Sequence, residues 1–120
     1  MKKLSTVLTL AKKHHSYFNP NSICGPYMCV AIGRLHADKK ITDKEADMAK
    51  AFCMAEVERI NCLSDVASEP ITILEALTFT NAETRVELGF SPRWENETEM
   101  AEDIKLYWLR TIKSLKESGR

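Results

Sequence analysis

The chain has 120 residues, 44% of them hydrophobic, and its 17 basic and 17 acidic side chains cancel to a formal net charge of zero. That length supports one domain with one core rather than two, and overall neutrality argues against a general nucleic-acid binder, which needs a concentrated basic surface. Only four glycines and four prolines, regularly spaced aliphatics and the absence of low-complexity tracts exclude extensive disorder, leaving the last few residues to fray.

The charge is unevenly placed. Residues 1–44 hold eight lysines and arginines against two acids, residues 45–103 four against fourteen, and residues 104–120 five against one. The two basic ends would form one basic face only if the first and last elements lie side by side.

The opening MKKLSTVLTLAKKHHSYF starts positively, but its apolar stretch is interrupted by Ser5, Thr6 and Thr9. No small-residue cleavage site follows, and no run approaches the roughly 18 apolar residues that cross a bilayer. A cytoplasmic protein is expected, and with it reduced thiols at Cys24, Cys29, Cys53 and Cys62.

In chain order, Leu4, Val7, Leu8 and Ala11 recur at the spacing of a helix with one buried face. Lys2, Lys3, Lys12 and Lys13 flank that stripe, and His14 and His15 fall in its last turn, where the carbonyl end of the helix favours a cation. FNPNS is a polar turn, and Gly25-Pro26 a helix start. The segment 27–35, YMCVAIGRL, is apolar nearly all round and reads as a central helix, with Gly33 placed to admit a close neighbour. Thr42 and Glu45 make a capping box, with Ile41 and Ala46 as the accompanying hydrophobic staple. Ala46, Ala49, Cys53, Val57, Ile60 and Leu63 then share one helical face.

Pro70 starts a short stripe through Ile71, Leu74 and Leu77. Residues 84–90, TRVELGF, fit either an extended segment or a short helix begun by a Thr80/Glu83 capping box and ended by Gly89; the helix is preferred. The final helix is expected over 96–116, capped by Asn96 and Glu99, with an apolar face from Met100 through Ile104, Tyr107, Trp108, Ile112 and Leu115. The fold class is therefore all-α: a single compact domain over residues 1–120, of five or six helices in a bundle-like or orthogonal arrangement.

No pattern of catalytic residues emerges. Cys24/Cys29 and Cys53/Cys62 lack the C-x-x-C spacing of zinc sites, His14 and His15 are adjacent and point apart on a helix, and no nucleophile motif surrounds Cys24. No catalytic residue, metal or cofactor is expected. The helix start at 22–27 offers a different chemistry. Free N–H groups near Ser22, Cys24 and Gly25 could hold an anion, Tyr27 could stack on a base and Arg34 could pair with phosphate, although a cap followed by a buried aromatic explains the same residues. The acids of the middle segment form a second candidate, a partner-binding surface of Asp47, Glu56, Glu58, Glu95, Glu97 and Glu99; Trp94 reads as core or rim packing, or, if exposed, as an anchor of that surface.

The order of the segments STVLTLA, YMCVAIGRL, ITDKEADMAKAF and RWENETEMAEDIKLYWLRTIKSL, with an M-C-x-A-I core followed by I-T-D-K-E, resembles small uncharacterised accessory proteins encoded by tailed bacteriophages. The resemblance carries over no catalytic residues. It implies host takeover or counter-defence in the host cytoplasm, by occupying a host protein or trapping a small signalling molecule. The leading expectation is thus a non-enzymatic accessory protein that binds and modulates a host protein. A small-ligand or nucleotide-signal binder at 22–27 and a DNA-contacting protein using the basic ends are the alternatives. A broad apolar final helix also suits a homodimer.

Overall fold

The four residues of the first apolar stripe, Leu4, Val7, Leu8 and Ala11, are all buried in a computed structural model of the chain, which describes residues 1–14, 28–61, 77 and 80–120. They lie on α1 (Leu4–His14), followed by α2 (Met28–Ala37), α3 (Asp43–Asn61), α4 (Ala82–Glu87) and α5 (Glu97–Glu117). Among the described residues there is no strand. The fold is all-α, and its radius of gyration of 14.0 Å is that of a compact globule.

The core follows from the helical periodicities. α1 packs on α2, α3 and α5, and α2 on α3. Their shared interior holds Val7, Leu8, Ala31, Ile32, Ala46, Ala49, Cys53 and Ile60, none of them measurably exposed. Each fully buried leucine, isoleucine or valine contributes about 1.5–3 kcal/mol relative to exposure. α5 closes the core with Ile104, Tyr107, Trp108, Ile112 and Leu115. Leu77 and Phe90 complete it from the connecting segment.

The expected caps form where the sequence places them, with two differences. At α3 both halves of the box are made: Thr42 N–H donates to Glu45 Oε1 at 2.8 Å and Glu45 N–H to Thr42 Oγ1 at 3.2 Å. Ile41 and Ala46 are both buried, as the staple requires. At α5 Asn96 Oδ1 accepts from Glu99 N–H at 2.9 Å, but the Glu99 carboxylate reaches one residue further back, to Glu95 N–H. α4 is the preferred short helix, yet its cap is Asn81, which accepts from Thr84 N–H, rather than Thr80. The Thr80 hydroxyl is buried and donates to the Leu77 carbonyl, so it has no role at the next turn.

Three helices end in the same six-to-one hydrogen bond, with a residue of positive φ at its corner. Phe90 N–H returns to the Arg85 carbonyl around Gly89, Lys40 N–H to Leu35 around Lys39, and Arg120 N–H to Leu115 around Gly119. Residues 118–120 fold back onto α5, and the Arg120 carbonyl accepts the Ser5 N–H of α1 at 3.2 Å.

Gly33 also differs from expectation. A Cβ built there meets nothing within 4 Å, so the residue admits no close neighbour among the described residues. The proposed starts at Gly25-Pro26 and Pro70, together with Leu63, lie outside the described residues.

Candidate functional site

Two clefts flank α5, and its two halves have opposite charge character. Along the N-terminal half, Trp94, Thr98, Glu99, Glu102, Asp103 and Leu106 line an open cleft of about 570 Å³. Along the C-terminal half, Tyr107 and Arg110 face Phe52, Glu56 and Arg59 of α3 and the folded-back Arg120 across a second cleft of about 350 Å³.

The first cleft is built by a loop pinned to a helix. Asp103 Oδ2 accepts from Ser91 N–H and from Trp94 Nε1–H, both at 2.8 Å, which fixes the indole against α5. Arg85 lies over a face of that ring, 5.0 Å from its centre, and its guanidinium donates to the carbonyls of Leu77 and Pro92. Trp94 is therefore half-buried and clamped, as rim packing rather than as an exposed anchor. Leu106 is the exposed apolar residue at this cleft, 43% accessible. Glu99 and Glu102 supply negative charge beside it.

The expected acidic surface is divided by helical geometry. Asp47 and Glu58 stand eleven residues apart, just over three turns, so they share an exposed stripe of α3. Glu56 points the other way. Its carboxylate accepts from the Tyr107 hydroxyl and, at 3.0 Å, from Arg59, and it is not part of a solvated face. Glu95 and Glu99 are exposed at the start of α5, and Glu97 occupies its first position with a side chain outside the described set. Asp47 and Glu58 are thus separate from the acids of α5.

The second cleft exists because α3 and α5 are joined by long side chains rather than by closely packed backbones. Arg59 bridges Glu56 and Tyr107, donating to the phenol oxygen at 2.9 Å. The Tyr107 ring stacks on Phe90, centroids 5.0 Å apart, and meets Trp108 edge-on. Burial, followed by the hydrogen bond and negative charge of Glu56, pushes the Tyr107 phenol well above its ordinary range, so it remains a proton donor.

Two thiols meet between α2 and α3. A hydrogen bond from Cys53 lowers the Cys29 pKa, helped by nearby Lys50, while the same bond together with burial pushes Cys53 well above the ordinary thiol range. Both are free cysteines. Among the described residues no group of three or more His, Cys, Asp or Glu side chains is arranged to hold a metal ion.

Of the residues proposed for a small ligand, Ser22, Cys24, Gly25 and Tyr27 lie outside the described residues, and Arg34 is on the exposed side of α2. α1 and α5 do lie side by side, as a joint basic face would require. No described helix is long and apolar enough to cross a membrane.

The sequence reading missed Glu102 and Leu106 in the first cleft and the three arginines of the second. Leu106 interrupts the polar side of α5, the one local signal available. Arg110 was legible only as a cation near a helix C-terminus, and its cleft partners are supplied by tertiary structure. No protein-family model, curated protein or solved structure matches this chain.

Proposed function

We propose that the protein is a non-enzymatic accessory protein that binds a host protein and modulates it, using the cleft on the N-terminal half of α5 to receive a basic segment of that partner. One observation carries the reading: Glu99 and Glu102 line a cleft of about 570 Å³ together with the edge of a clamped tryptophan and an exposed leucine. Lysine and arginine combine an aliphatic stem with a charged head. Trp94 and Leu106 suit the stem, and the two carboxylates suit the head. The acids also steer a basic partner toward the cleft and raise the association rate. The resemblance to phage accessory proteins supplies the host as the source of that partner.

The test is a pull-down from host extract with identification of the captured protein, followed by calorimetric titration of that purified partner. Glu99→Lys together with Glu102→Lys should weaken binding by about tenfold or more, and wild-type affinity should fall with added salt. Leu106→Ser should weaken it independently of salt. An affinity unchanged by all three substitutions, in variants whose thermal unfolding matches wild type, excludes this cleft.

A further inference from the structure

The cleft between α3 and α5 is lined by three arginines, Arg59, Arg110 and Arg120, and by one described side-chain carboxylate, Glu56. Like charges repel, although solvent screens these exposed groups, so contacts that hold each member, or an anion between them, stabilise the arrangement. Each is held by a different device. Arg59 is bonded to Glu56 and to the Tyr107 hydroxyl. Arg110 donates to the Gly89 carbonyl at 2.9 Å. Arg120 lies over the Phe52 ring, 5.7 Å from its centre, on a backbone tied to Leu115 and to Ser5.

These contacts leave most of the donors unused. A guanidinium carries five N–H donors, while Arg110 spends one on a carbonyl and Arg120 spends its positive face on a ring. Only Arg59 has a carboxylate partner; among the described residues neither Arg110 nor Arg120 pairs with one. The described side chains lining the cleft therefore carry an excess of two positive charges. Its volume, about 350 Å³, lies toward the lower end of the range for small-molecule sites.

We infer that this cleft binds a small phosphomonoester, whose dianionic phosphate is held between Arg110 and Arg120 with Arg59 behind them. Guanidinium groups match phosphate oxygens with paired N–H donors, which distinguishes such a site from a diffuse lysine patch. Phe52 and Leu88, also on the cleft wall, offer apolar surface to the body of the molecule. The site is separate from the acidic cleft and stands or falls without it.

Thermal unfolding and isothermal calorimetry of the full chain with inorganic phosphate and with adenosine monophosphate, at constant ionic strength against a chloride control, test the inference. At least one probe should raise Tm saturably. Stabilisation by both assigns the site to the phosphate group itself; stabilisation by adenosine monophosphate alone assigns it to phosphate together with contacts from the organic body. Arg110→Gln with Arg120→Gln should weaken the response by about tenfold or more, while Glu99→Lys with Glu102→Lys should leave it in place. No saturable response to either probe up to about 10 mM, or an equal response in the double arginine variant, overturns the inference. Because Arg110 also holds the Gly89 carbonyl, Arg120→Gln alone is the second variant; full binding by it, with wild-type unfolding, likewise excludes the cleft.

Discussion

Gly33 and Gly89 are the same residue type in environments that give their substitution opposite effects. Gly33 sits in the interior of α2, and beyond its own helix a built Cβ meets nothing within 4 Å among the described residues, so it has the helical cost of glycine and no described neighbour that requires it. Gly33→Ala should stabilise the protein by up to about 1 kcal/mol, read as a rise in Tm by circular dichroism. Gly89 turns the chain after α4 with φ of 89°, and its Cβ would come within 3.2 Å of Arg110 Nη2. Gly89→Ala should cost about 1–2 kcal/mol from the left-handed conformation. A fall in Tm on Gly33→Ala, or none on Gly89→Ala, would refute this account of the two glycines. The sequence distinguishes the pair only partly. Gly89 ends an amphipathic segment, as a capping glycine does, whereas the open space around Gly33 depends on how its helix is packed.

At the scale of elements, α3 and α5 are joined by a polar contact as well as by the shared core. Tyr107 carries its ring into the core and its hydroxyl to Glu56, with Arg59 closing the triangle. Tyr107→Phe keeps the ring and removes both hydrogen bonds of the hydroxyl, the one donated to Glu56 and the one accepted from Arg59, while the direct Arg59–Glu56 contact remains, a loss of about 1.5 kcal/mol or more. Urea unfolding should show that loss. The difference between wild-type and variant absorbance titrations should contain no phenolate signal at about pH 10, where an ordinary tyrosine is half ionised. A phenolate appearing there would break the assigned geometry. Helix positions and their apolar faces were legible because each depends on spacing within one segment. The Glu56–Tyr107 pair joins residues 51 positions apart, and periodicity alone gives Glu56 no reason to leave the solvated side. Thr80 was misread as a cap for a similar reason, since a carbonyl of the preceding segment takes its hydroxyl.

At the scale of the whole molecule, the N-terminal segment is attached to α3 through one buried carboxylate. Glu45 is 2% exposed and accepts the N–H groups of Thr42 and Lys2, with the Lys2 ammonium 3.9 Å away. These donors, Thr42 first and Lys2 next, hold its pKa below the ordinary value of 4.5. A hydrogen bond to His14 does the same for Asp38, from 3.8, where α1 meets the end of α2. Both groups stay ionised in the folded protein at pH values where the unfolded chain already binds protons, so acid favours unfolding. Their contribution is complete above pH 4.5 and declines as pH falls from there through the lower folded-state values. Urea midpoints measured from about pH 7 to about pH 3 should fall through that window in wild type. Glu45→Gln should begin lower, having lost the charge that receives two backbone donors, and should show a shallower decline because one of the two linked groups is gone. Wild-type and variant midpoints that decline in parallel would mean that Glu45 does not couple folding to acid, and the attachment of the N-terminal segment would then rest on the apolar stripe of α1 and on its contacts to Asp38 and Arg120.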